Sequence, residues 1–221
     1  VRDMLLNRVS HDLDFALPSN GIALARKVAN ALEADFMVLD AERDTGRVIF
    51  SDMDGSRTFL DFATYRNGDT LEADLRARDF TMNAIAYDIH AGTIIDPLNG
   101  ASDLRAKVIR ACSLTALQDD PIRILRAIRQ AAAFDFKIEI QTRKAMKAAA
   151  EHLPNVSPER QRDEIFKILE GPKPDASIRA LEMLGVFQHI MPELTAMKGT
   201  TQSLPHIYDV WEHTLSVLRH L

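Results

Sequence analysis

Cysteine is nearly missing from this sequence: 221 residues contain one, Cys112. A single thiol cannot close an internal disulfide, and the count fits a reducing cytoplasm. Its neighbours Ile109, Ala111 and Leu114 mark it as a core thiol rather than a nucleophile. No apolar run approaches the ~20 residues that a membrane-spanning helix needs. A secretory leader pattern is also lacking. The chain opens at "VRDMLL" without a methionine and closes on "SVLRHL" with helical periodicity still running, so it reads as a fragment at both ends. Repeats and low-complexity tracts are absent, and so is any overall excess of positive charge. A net charge of −5 argues against a generic polyanion binder. Residues 105–147 nevertheless hold ten Lys or Arg against four Asp or Glu. A basic stretch in an acidic protein is either a phosphate-facing surface or a solvated helix face.

What remains is the composition of a globular protein, 46% hydrophobic and 27% charged, long enough for one full domain and part of another. The first 110 residues read as mixed α/β. Residues 11–17 alternate as a strand, and 22–34 have helical spacing with Ser19 or Asn20 as N-cap. "DFMVLD" and "RVIF" are short strands around a Thr45-Gly46 turn, and "RTFLDFATYR" (57–66) alternates again. "DLRARDFTMNAIAYDI" reads as a short helix feeding a strand, followed by turns at Asp96-Pro97 and Asn99-Gly100. Beyond Asp119 the pattern is nearly all helix, over 121–134, 141–151, 158–169, 174–184 and 209–221.

Three groups of residues carry chemistry. In "HDLDFAL" (11–17), Asp12 and Asp14 lie two apart, which sends both carboxylates to one side of a strand. Such a pair either faces water or grips a divalent cation; magnesium commonly uses one or two carboxylates with water and phosphates. Asp61 adds a third acid mid-strand, sharing a face with Phe59 and Ala63. In "RARDFTMNA" (76–84), Asp79 is either a helix N-cap or, with Arg78, a reader of a nucleotide's sugar and phosphate. In "DDPIRILRAIRQAAAF" (119–134), Asp120-Pro121 resembles a cap with proline at the first helical position. Arg123, Arg126 and Arg129 then form a slanting stripe over about one third of the helix, with Ile124, Leu125 and Ile128 on the other side. An acid and a guanidinium one turn apart can offer acceptor and donors to a base edge.

In order, "VRDMLLNRVSHDLDFAL", "FLDFATYR", "LEADLRARDFTMNAIAYD", "DPLNGASDLRAKVIRA" and "DDPIRILRAIRQAAAFDF" resemble the class II tRNA nucleotidyltransferase and bacterial poly(A) polymerase family over residues 1–195. The resemblance implies an α+β fold: a polymerase-β-like nucleotidyltransferase head with a mixed sheet over 1–112, then an all-helical neck and body over 113–195. Residues 196–221 resemble the start of a further helical, HD-like domain. There "HIYDVWEHTL" (206–215) places His206 and His213 two helical turns apart, as packing or as metal ligands. The resemblance makes Asp12 and Asp14 the ligands of a two-Mg²⁺ site, with Asp61 as a further catalytic acid. It makes Arg2, Asp3, Arg78, Asp79 and Asn83 nucleotide-binding, Asp120 and Arg123 a protein template for the base of CTP or ATP, and Arg126 and Arg129 phosphate neighbours. tRNA is the implied partner.

The chain departs from the family pattern at Asn7, Ala77, Asp119 and Gln130, where glycine, arginine, glutamate and phenylalanine are usual. Only "NGDT" (67–70) separates "FATYR" from "LEADL", where CCA-adding members carry a much longer loop. Loss of that loop is associated with addition of CC alone, so CC addition is expected over CCA addition. Poly(A) synthesis, a non-catalytic RNA-binding role and an additional phosphohydrolase activity are the alternatives.

Overall fold

A computed structural model describes residues 1–51, 55–66 and 70–220. The chain divides into two compact units. The first comprises Val1–Arg78 and Asn83–Ala101; the second comprises Asp79–Met82 and Ser102–Leu221. The head was expected to extend to residue 112; the division falls at Ala101/Ser102, with the Asp79–Met82 excursion counted in the second unit.

In the first unit α1 (Arg2–Leu5) leads into β1 (Asp12–Leu17), α2 (Gly21–Leu32), β2 (Asp35–Asp40), β3 (Thr45–Ser51), β4 (Arg57–Thr64) and α3 (Leu71–Arg76). The hairpin of β5 (Ala86–Asp88) and β6 (Thr93–Ile95) completes it. Four strands form one mixed sheet in the order β1-β4-β3-β2. β1 runs parallel to β4, and the other pairs are antiparallel. Alternation decides which side of this sheet is apolar. Ala25 and Ala29 of α2 pack on Val48 and Phe62, joined by Phe15, Leu17 and Leu60. Phe15 and Phe62 stack with centroids 4.8 Å apart. The residues between them, including Asp12, Asp14 and Asp61, therefore point to the opposite side.

The start of α2 differs from the sequence expectation. Asn20 holds the N-cap position, but in a left-handed conformation (φ 62°) and without a side-chain cap. The capping carboxylate comes instead from Asp44, in the β2–β3 turn, which accepts from the Gly21 N–H at 2.8 Å and the Ile22 N–H at 3.0 Å. Thr64 Oγ1 donates to the same carboxylate at 2.6 Å. Position 21 must be glycine because a Cβ there would lie 2.2 Å from the Asp44 carbonyl oxygen.

The second unit is helical. It contains most of α4 (Gly100–Ala106), which crosses the division, then α5 (Ala116–Asp119), α6 (Arg123–Phe134), α7 (Ile140–Ala149), α8 (Pro158–Leu169), α9 (Pro174–Met183), α10 (Phe187–Ile190), α11 (Pro192–Ala196) and α12 (Val210–Arg219). A short parallel pair, β7 (Val108–Ile109) and β8 (Lys137–Ile138), ties the start of the unit to the residues after α6. Ile124, Leu125 and Ile128 are buried along α6, as its spacing predicted. Residues 196–221 belong to this unit: Trp211 packs edge-on against Phe187, and Arg179 forks onto Glu212. His206 precedes α12 rather than lying on it, and its ring meets His213 edge-on at 5.3 Å.

The Thr64 hydroxyl, the Ile22 N–H and further backbone donors hold the Asp44 carboxyl below its ordinary pKa, against the opposing effect of burial. A lowered folded pKa means that the stabilisation is present above the unfolded value near 4 and is lost as pH falls through the folded one. Asp44→Ala is expected to cost about 1–2 kcal/mol in urea unfolding at pH 7. It should also flatten the loss of stability between about pH 5 and pH 3 relative to the parent.

Candidate active site

The pairing register assembles the first cluster. Asp14 of β1 is in register with Asp61 of β4, which is in register with Arg47 of β3. In-register neighbours share a face, so Asp14, Asp61 and Arg47 form a row across three strands, on the side away from α2. Asp12, Phe59 and Ile49 form the row beside it. Arg47 donates from Nε to Asp61 Oδ1 at 2.6 Å and from Nη2 to Asp61 Oδ2 at 2.7 Å. Its guanidinium carbon lies 5.0 Å from the centre of the Phe59 ring. The hydrogen bond to Asp61 raises the Arg47 pKa, burial opposes the rise, and the charges of Asp61, Asp12 and Asp14 add to it. Asp12 and Asp14 are exposed, and their carboxylates make no hydrogen bond or ion pair among the described residues. Nor is there, among those residues, a ready-made group of three or more metal-binding side chains.

Two further clusters lie in the first unit. Arg2 donates to Asn83 Oδ1 at 2.7 Å and pairs with Asp3 at 2.8 Å. Three residues expected at the nucleotide are thus brought together from positions 2, 3 and 83. Arg78 pairs with Asp74, four residues earlier and buried, at 3.1 Å. The other oxygen of Asp74 accepts from the Arg66 N–H at 2.9 Å, so one buried acid links Arg78 to the chain just beyond β4.

In the second unit the candidate residues are held by ion pairs. Asp79 is buried; its Oδ1 accepts from the Phe80 N–H at 2.8 Å, and its Oδ2 accepts from Arg126 Nε at 2.9 Å and Nη2 at 2.7 Å. The alternative of a helix N-cap at Asp79 does not occur: the next element is a 3-10 turn over Thr81–Asn83. Burial works to lower the Arg126 pKa, but the charge of Asp79 and its hydrogen bond outweigh this and leave it raised. Arg129 donates from Nε to the buried Glu164 at 2.7 Å.

Asp120 was expected to cap α6, with Pro121 opening it. Instead α6 starts at Arg123 with Ile122 as N-cap, and Asp120 ends the one-turn α5 in an extended conformation. Its Oδ2 accepts from Arg160 Nη2 at 2.7 Å. Arg123 donates to the Ala116 carbonyl at 3.2 Å. Cys112 is half-buried, and its N–H donates to the Asp79 carbonyl at 3.1 Å.

Sequence reasoning missed Arg47, Asp74, Arg160 and Glu164. Asp74 carried a signal, its i,i+4 spacing from Arg78 on a helical stretch. Arg47 carried a weaker one, its place in an alternating strand. Arg160 and Glu164 have no local signal, since each meets a residue 35 or more positions away. Three of the residues in the Asn67–Thr70 connection, Asn67 to Asp69, lie outside the described residues, so the expectation of CC addition has no structural counterpart here.

An acid-lined mixed sheet is followed by a helical unit whose arginines are paired with buried acids. Residues 1–110 match the poly(A) polymerase head domain, and 135–198 match the probable RNA- and SrmB-binding site of polymerase A. The chain belongs to the tRNA nucleotidyltransferase and poly(A) polymerase family. It is 41% identical over 186 residues to a CC-adding tRNA nucleotidyltransferase of Geobacter sulfurreducens, a match taking in 84% of this chain and 42% of that one. Identity to an A-adding tRNA nucleotidyltransferase of Deinococcus radiodurans is 37% over 226 residues, all of this chain and 50% of the relative. A solved CCA-adding enzyme in complex with CTP superposes with a TM-score of 0.78 at 34% identity, covering 87% of this chain and 47% of the other. The chain spans about half the length of the curated relatives it matches.

Asp79 is buried while Arg126 reaches the surface, so removing the arginine strands a buried carboxylate. Arg126→Gln is expected to cost about 1–3 kcal/mol in chemical denaturation, and Asp79→Asn about 1 kcal/mol less, because the arginine left behind is solvated. The double variant should cost clearly less than the two together; simple additivity would show that the pair is not coupled.

Proposed function

We propose that this chain carries the catalytic machinery of an enzyme that adds nucleotides, chiefly CMP, from CTP or ATP to the 3′ end of tRNA without a nucleic-acid template. The observation that carries the reading is the exposed, unpartnered pair Asp12 and Asp14 on one sheet face of a family-matched head. The all-oxygen donor set suits magnesium, which takes one or two carboxylates and completes its shell with water and substrate phosphates. Held there, such ions would supply electrostatic stabilisation of the charge that develops in a phosphoryl transfer.

The chain's own residues do the remaining work. Asp12 and Asp14 hold the cations, and Arg47 locks Asp61 beside them. Arg78, aimed by Asp74, and Asp79 read the sugar; Arg2, Asp3 and Asn83 support the nucleotide as a group. Asp120 and Arg123 offer an acceptor and donors to the base edge, as a template strand would. Arg126 and Arg129 brace the helical unit through Asp79 and Glu164. Their side chains stay 39% and 27% exposed, which leaves edges for phosphate. Fixed donors and in-line positioning then supply most of the rate.

The short Arg66–Leu71 connection and the CC-adding relatives support CC addition. The cytoplasm is the proposed compartment, in keeping with the single thiol. No helix among the described residues is long and apolar enough to cross a membrane.

In the full-length protein, Asp12→Ala or Asp14→Ala is expected to reduce incorporation by roughly a thousandfold or more, with folding and tRNA binding retained; full activity would refute the reading. Supplied with tRNA ending before CCA, after CC, or complete, and with CTP and ATP separately, the parent should extend the first by two C residues and leave the others unchanged. A ladder from ATP would identify a poly(A) polymerase instead. Arg123→Ala should blur the choice between CTP and ATP, read as the ratio of the two kcat/KM values; an unchanged ratio removes Arg123 from base reading.

A further inference from the structure

The acidic sheet face has an arginine seated among its carboxylates. Arg47 stands in the same row as Asp14 and Asp61, one strand beyond Asp61, and both ends of its guanidinium fork engage that carboxylate. We propose that Arg47 is the charge-balancing residue of this face: it withholds Asp61 from divalent cations, so that cations are held through Asp12 and Asp14 alone, and it sets how tightly they bind. The inference rests on the metal reading of Asp12 and Asp14.

Three observations support it. Both Asp61 oxygens accept from Arg47 at 2.6 and 2.7 Å, the lengths of charge-assisted bonds. A bidentate pair of this kind presents the cation with a neutral unit rather than a third carboxylate. Second, the guanidinium is braced from below by the Phe59 ring. Phe59 is the register partner of Asp12, so the bracing places the positive charge beside the row that carries that acid. Third, strands lie ~4.8 Å apart, so Arg47 is within about two strand spacings of Asp12 and Asp14. That distance exceeds the Debye length of ~8 Å at physiological salt but lies well inside the ~30 Å at 0.01 M, so the charge is felt at low ionic strength. The Arg47 pKa responds to Asp12 and Asp14 as well as to Asp61. Asp12, Asp14, Asp61 and Arg47 together carry a formal charge of −2; without Arg47 the three acids would carry −3 and offer a third ligand.

This predicts a pattern of binding rather than of activity. Mn²⁺ titration followed by electron paramagnetic resonance, at low ionic strength and without nucleotide, reads the site directly. Arg47→Met is expected to tighten Mn²⁺ binding roughly three- to tenfold, and Asp61→Asn to weaken it by a similar factor. Arg47→Lys keeps the charge and should stay within about twofold of the parent. The decisive variant is Arg47→Met with Asp61→Asn, which restores the formal charge and removes no proposed ligand. Its affinity should return to within about twofold of the parent, and it also guards against a folding defect from an unpaired Asp61. If the double variant binds as weakly as Asp61→Asn alone, Asp61 is a ligand and the inference fails while the metal reading stands. If Asp12→Asn leaves Mn²⁺ binding untouched, the metal reading fails and this inference with it.

Discussion

The parallel pairing of β1 with β4, in the register Asp14 opposite Asp61, is the constraint on which the site depends. Once that register is set, Phe15 and Leu17 of β1 face α2, and Asp12 and Asp14 face away. A slip of one residue would send Asp12 and Asp14 into the Phe62–Ala25 core, where unpaired carboxylates cannot stay charged. The hydrophobic face thus enforces the position of the carboxylates: burial of Phe15, Leu17, Leu60 and Phe62 is the driving force, and the acidic face is its consequence. The antiparallel β3 then delivers Arg47 to the same row.

The helical unit solves a different problem, that of keeping several arginines on one helix in place. Arg126 and Arg129 are oriented by the buried acids Asp79 and Glu164, which come from distant segments. A lysine could not use two donors on a carboxylate in this planar way. Because these acids are desolvated, the pairs add little to net stability but make any other arrangement of α6 costly. Asp120, more exposed and paired with Arg160 at the surface, is held far less tightly.

Most elements were legible from local pattern. The alternation of 11–17 and 57–66, the helical spacing of 22–34, and the helices from 141 onward are all present within a few residues. The mixed sheet followed by helices agrees with the expected α+β class. Legibility failed where a partner came from far away. Asn20 looked like the cap of α2, yet Asp44, 23 residues on from Gly21, does the capping. Asp120 looked like the cap of α6, yet the unforeseen turn α5 absorbs it. Short elements such as α5, α10 and α11 contain too few residues to show a period at all.

The sequence by itself determined which residues share a face, since strand and helix periods are properties of neighbouring positions. It was enough to put Asp12 and Asp14 side by side, to line up Arg123, Arg126 and Arg129, and to point to the family. Only the tertiary structure decided which charges would be neutralised. Asp61 meets Arg47 across 14 residues, Asp120 meets Arg160 across 40, and Asp79 meets Arg126 across 47. Such pairs depend on strand register and helix packing, which local periodicity does not encode. Among the described residues Asp12 and Asp14 were left without a hydrogen-bond or ion-pair partner by the same folding that supplied one to Asp61, and the proposed cation site rests on that contrast.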